Sequence, residues 1–180
     1  MVAGAADAAL VLIVCAAAWS DVRSRRIPNR LTVAGLVAAL FLRVLLGVVP
    51  LQQGVLGAAL ALGISVVLFA LGIIGGGDAK LLVAVGAFLG PAGFIGALAI
   101  SCVVGAVMAV ADAARRGVLL LLLVHLLDVV AFWRAFGRRG QARRLSTPGA
   151  LTVPFGVAIA VGAIAWRLAK DGLAVTLLEK

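Results

Sequence analysis

Charge is scarce in this chain, and acidic charge scarcest of all: seven Asp and Glu stand against 16 Lys and Arg in 180 residues. Charged residues make up 13% of the sequence, against about 25% in an ordinary soluble domain. No polar block is long enough to fold by itself, which excludes an accompanying soluble domain and leaves residues 1–180 as one membrane-embedded unit. There are two cysteines, Cys15 and Cys102, both inside apolar runs and without C-x-x-C spacing, so neither a zinc site nor a disulfide framework is expected. The single histidine, His125, stands three residues before Asp128 with no serine or cysteine nucleophile beside it, which argues against a catalytic triad and for a local hydrogen-bonded pair. The glycine run at 72–77 lacks the Gly-Lys-Ser/Thr ending of a phosphate loop, which argues against nucleotide binding.

What the chain has in abundance is apolar surface: 64% of its residues are hydrophobic and the mean hydropathy is +1.24. A bilayer core takes about 20 apolar residues in a helix. On that criterion the expected fold is all-α, with six transmembrane helices at 2–20, 31–49, 54–74, 78–90, 93–111 and 151–168. The first run has no basic residues before it and several after it, so it reads as a retained helix and not a cleaved signal. The segment 118–136 is apolar but has arginines at both ends, and is expected to lie in the cytoplasmic interface with Trp133 at headgroup level.

The net charge of +9 would suggest nucleic acid in a soluble protein. Here the basic residues fall in breaks between apolar runs, four within 23–30 and seven within 115–144. With six spans, these and Lys80 share one face, while Arg43, Arg167, Lys170 and Lys180 share the other. The positive-inside rule puts the first group in the cytoplasm and both termini outside. Arg43, near the far end of its span, is expected to snorkel to the headgroups. The expected partners are membrane lipid and no nucleic acid.

A carboxylate at membrane depth costs at least about 2.5 kcal/mol on insertion scales, so each acid needs a reason. Asp171 and Glu179 lie in a polar tail. Asp112 precedes Arg115 and Arg116 at helical spacing and reads as an ion pair. Asp7 lies close enough to the outer boundary to stay partly hydrated. Asp21 and Asp78 differ from these, because each falls at the cytoplasmic end of a span beside a turn that shapes the backbone. Asp21 closes the first helix and precedes Ile27-Pro28-Asn29, where Pro28 fixes a turn and Asn29 is a capping residue. Asp78 follows Gly75-Gly76-Gly77 and heads the fourth helix. The bland readings are an arginine partner for Asp21 and a helix cap for Asp78. The functional reading is a pair: peptide hydrolysis by an activated water needs one carboxylate as base and another as acid.

Two segments resemble those of the prepilin peptidases, intramembrane aspartic proteases of the GxGD type. They are Ser20-Asp21-Val22-Arg23-Ser24-Arg25-Arg26-Ile27-Pro28-Asn29 and Gly75-Gly76-Gly77-Asp78-Ala79-Lys80-Leu81-Leu82. Val153-Pro154-Phe155-Gly156-Val157-Ala158-Ile159-Ala160 is similar to the family's last helix. The resemblance implies that Asp21 and Asp78 are the catalytic dyad, supported by Gly75, Gly77, Pro28, Asn29 and Lys80, and that no metal or organic cofactor takes part. It implies substrates that are type IV or tight-adherence prepilins with a basic leader ahead of an apolar helix, cut at the cytoplasmic face of the bacterial inner membrane. The extra loop with paired C-x-x-C motifs of the longer, N-methylating members is missing, so the chain looks like the short, peptidase-only form. Helix dipoles suggest that the end of the first helix disfavours charge on Asp21 while the start of the fourth favours it on Asp78. Two other readings stand beside this one: a small transporter relaying protons through Asp21 and Asp78, and a noncatalytic pilus-assembly subunit.

Overall fold

The computed structural model describes residues 2–46, 50–117, 127 and 154–178. These residues form five α-helices and no strand: α1 (Val2–Ser24), α2 (Asn29–Leu46), α3 (Leu51–Ala70), α4 (Gly76–Arg115) and α5 (Phe155–Leu178). By length and composition three stretches are apolar enough to cross a membrane, Gly4–Ser24, Leu51–Ala70 and Gly76–Arg115. The expectation of six separate spans is therefore not met. The fourth and fifth expected spans are joined in α4, whose 40 residues continue through a single break at Gly90.

That break has a definite cause. Gly90 has φ 73° and ψ 178°, a region open essentially to glycine alone. Pro91 follows it and has no N–H to donate. The second part of α4 then runs back alongside the first. Phe69 of α3 lies beside Gly76 and Gly57 lies against Gly86, so residues 76–89 lead away from the Asp78 end. Beyond Gly90, Gly96 packs on Trp166, Ser101 on Gly162 and Gly105 on Phe155, and Phe155 precedes the residue that touches Asp21. A straight 40-residue helix would be about 60 Å long, twice a bilayer core, so the fold-back lets both parts share one membrane thickness.

Small residues bring the helices together. The buried positions of α3 are Gly54, Gly57, Ala61 and Ser65, a stripe of small side chains facing α4. At the Gly57–Gly86 crossing each backbone carbonyl occupies the space a Cβ on the other would need. The core is built from Leu10, Val14 and Ala17 of α1, Leu81, Leu82, Val85 and Phe94 of α4, and Ile159 and Ala163 of α5. Large apolar side chains such as Leu12, Trp19, Val44, Val103 and Val107 point outward and are exposed. An exterior of this kind is matched to lipid.

Arg43 corrects another expectation. It does not reach outward but is buried, with Nε 2.8 Å from the Ala87 carbonyl oxygen and Nη2 2.8 Å from that of Phe88. Nη1 donates to Pro50, 3.2 Å away. The Ala87 carbonyl is the one that Pro91 leaves without its regular i+4 donor, so the guanidinium replaces the backbone bonds lost at the break. Asp7, expected to rest on hydration, instead receives both Nε and Nη2 of Arg167, at 2.5 and 2.7 Å. Asp112 pairs with Arg116 as its spacing implied, at 3.0 Å. Cys15 and Cys102 are free thiols. The interfacial helix expected at 118–136, with His125, Asp128 and Trp133, falls outside the described residues except for the exposed, helical Leu127.

Candidate active site

Asp21 does not end α1, as the sequence suggested; the helix continues to Ser24. Arg25 then turns the chain with a left-handed φ of 53°, and its N–H donates to the Asp21 carbonyl at 2.8 Å. The Ser20 hydroxyl donates to the Arg26 carbonyl at 2.8 Å and fixes the turn from inside. Ile27 is buried beneath it. Pro28 then ends the turn and its carbonyl receives the N–H of Leu31, at 3.0 Å. The carbonyl of Pro28, and not the Asn29 side chain, thus serves the first turn of α2. The Asn29 Oδ1 instead accepts from Lys80 Nζ at 2.8 Å, tying the start of α2 to the first turn of α4.

The glycine run places the second acid. Gly75 is extended, with φ −76° and ψ 158°, and precedes the first turn of α4. Its N–H donates to Asp78 Oδ2 at 3.3 Å. Gly77 lies so close to Ile27 that a Cβ there would stand 3.1 Å from the isoleucine Cβ. The absence of a side chain at Gly77 lets the α1–α2 turn settle onto the start of α4. Gly75, Gly77, Pro28, Asn29 and Lys80, singled out in the sequence, are therefore all brought to the junction that carries Asp21 and Asp78.

The two acids lie at the same end of the bundle: Ile27 packs against Gly77, next to Asp78, and against Gly156, which donates to Asp21. Asp21 is buried, at 8% exposure, and its Oδ2 accepts the N–H of Gly156 at 2.9 Å. Asp78 is half-buried; its Oδ2 takes the helix-start bond to Gly75, while its Oδ1 is buried and has no hydrogen-bond partner. The helix-cap reading of Asp78 thus accounts for one of its oxygens. The second is left for something else, because buried polar atoms rarely go without a partner.

Gly156 is the contact that sequence reasoning missed. It lies in the first turn of α5, where backbone N–H groups point outward along the axis without intrahelical acceptors. Asp21 therefore faces the positive end of α5, and the field at its carboxylate is not set by the end of α1 alone, contrary to the dipole argument from sequence. The signal was present in Pro154-Phe155-Gly156, a proline just ahead of a helix start followed by a residue with nothing to shield its N–H.

Fold and site together define an integral membrane protein of packed helices with two acids, one buried and one half-buried, at one end. The type IV leader peptidase family matches residues 8–110, more than half of the chain, and the chain belongs to that family. It is thus a peptidase of the leader-peptidase kind. No curated protein and no solved structure matches it. The matched stretch contains both aspartates and ends before α5.

Proposed function

We propose that this protein is an aspartic endopeptidase that removes the basic leader from type IV or tight-adherence prepilins. It works at the cytoplasmic face of the bacterial inner membrane, with Asp21 and Asp78 as its dyad and the whole chain as one catalytic unit. The observation that carries this reading is the orphaned Oδ1 of Asp78, buried at the end of the bundle where the second carboxylate, Asp21, is held by Gly156. Family membership supplies the reaction class.

Peptide hydrolysis by an activated water needs one acid of such a pair ionised and the other carrying a proton. The ionised member takes a proton from water while the water oxygen bonds to the scissile carbonyl carbon. The protonated member gives its proton to the carbonyl oxygen. The tetrahedral intermediate then collapses: the C–N bond breaks, the departing nitrogen takes the proton held by the first carboxylate, and the diol returns its own to the second. The bond from Gly156 to Asp21 and the bond from Gly75 to Asp78 hold one oxygen of each acid, which leaves the other oxygens for the reacting water and the substrate. The basic turn at 23–30 and Lys80 lie at this end, so the positive-inside rule supports a cytoplasmic site. Without the C-x-x-C loop, N-methylation of the trimmed pilin is not expected of this chain.

Co-expression with a prepilin, read by leader removal, tests the assignment. Asp21→Asn and Asp78→Asn should each lower cleavage by at least about 10²-fold while the protein still inserts. Full cleavage by either variant would sink the dyad.

A further inference from the structure

The site includes a link between α1 and α5 whose geometry is sensitive to how those helices slide. N–H groups at a helix start point along the axis. An axial shift by one residue, about 1.5 Å, therefore stretches the 2.9 Å bond from Gly156 to Asp21 directly, beyond hydrogen-bond range. The apolar contact between the two helices supplies no directional bond that would mark one register. Its buried members include Leu10, Val14 and Ala17 on one side and Ile159, Ala160 and Ala163 on the other, and burial of this kind is non-directional.

At the opposite end of the same pair of helices, Arg167 grips Asp7 through Nε and Nη2. Both side chains are largely covered, at 24% and 32% exposure, so the fork-like contact lies mostly out of water and is directional. The helices run antiparallel, and the two links are unequally spaced. Asp7 and Asp21 are separated by about 21 Å of helix, Gly156 and Arg167 by about 16.5 Å. The remaining ~4.5 Å lies within the reach of an arginine side chain, so the two links are satisfied together in one register.

We propose that Asp7 and Arg167 are a remote positioning pair: they fix α1 along α5 and thereby hold Asp21 in its working place against Gly156. This rests on the leader-peptidase reading. Neither residue touches the reacting atoms. A pair retained only to neutralise charge during insertion would affect yield and stability, and would leave turnover per folded molecule unchanged.

The test uses the full-length protein and a prepilin, with kcat and KM measured on folded, inserted enzyme. Asp7→Asn and Arg167→Gln should each lower kcat about tenfold to a hundredfold with KM within about twofold, as expected for an ångström-scale misplacement. The exchange of Asp7→Arg with Arg167→Asp should restore most of the loss. If a single neutral replacement inserts poorly, Asp7→Glu and Arg167→Lys keep both charges but change reach and fork geometry, and should still lower kcat several-fold. Wild-type kcat in folded single variants, or an exchange no better than the singles, overturns the positioning role. Asp21→Asn serves as the internal reference. If it cleaves, the leader-peptidase assignment has failed; if it is dead while Asp7→Asn runs at the wild-type rate, only the positioning claim has failed.

Discussion

A methyl group added at Gly156 would stand 3.0 Å from Oδ2 and 3.1 Å from Cβ of Asp21, with Ile27 Cδ1 at 3.2 Å. These distances are tight without being impossible, so Gly156→Ala should fold and insert but displace the carboxylate by a few tenths of an ångström. The expected outcome is a fall in kcat of about tenfold, with little change in prepilin KM or in thermal stability in detergent. Gly156→Val, with more bulk at the same point, should approach the loss seen with Asp21→Asn. At this scale the proposed acids are marked in the sequence and their support is not. Asp21 and Asp78 stand out because carboxylates are rare and expensive in an apolar chain, and Pro28, Asn29 and the glycine run mark the turns around them. A backbone N–H carries no residue signature, so the donor that anchors Asp21 became visible only when α5 was placed beside α1. Arg167 was likewise hidden, since its partner lies 160 positions earlier.

Helices are where apolar periodicity and length serve best, and α1, α2, α3 and α5 each overlap an expected span. The departures have local causes. Asp21 stays helical because Ser24 and Arg25 carry the turn beyond it. The fourth and fifth spans merge because the chain folds back at one residue, Gly90, and not through a loop. Arg43 explains how that fold-back is tolerated. A break in an apolar bundle exposes carbonyls that lipid cannot satisfy, and the guanidinium donates to those of Ala87 and Phe88. Position in a span could not reveal this, because a basic residue near a helix end reads equally well as snorkelling. Arg43→Leu should therefore destabilise the protein on the order of 3 kcal/mol, since it strands buried acceptors as well as removing charged donors. Thermal unfolding in detergent would register the loss. A variant as stable as wild type would show that the break at Gly90 is satisfied without Arg43.

For the molecule as a whole, packing and charge bear on the proposed cytoplasmic position of Asp21 and Asp78. The interior is built from small residues and a few branched ones, while the outer surface carries Leu12, Trp19, Val44, Val103 and Val107, so the bundle axis lies across the bilayer. The turn with Arg23, Arg25 and Arg26 lies at the Asp21 end; Asp7, Arg43 and Arg167 lie at the other, where Arg167 is neutralised by its ion pair. This bias in the placement of basic residues sets orientation through the cost of moving cations across the membrane. Gly4 and Arg26 are both exposed at opposite ends of α1, and the space around Gly4 is open. In a background with Cys15 and Cys102 replaced by alanine, Gly4→Cys should react with a membrane-impermeant maleimide in intact spheroplasts. Arg26→Cys should react only after permeabilisation. The reverse pattern would place Asp21 and Asp78 outside the cytoplasm, where no newly made leader is presented, and the proposed substrate would have to be abandoned even with the acid pair intact.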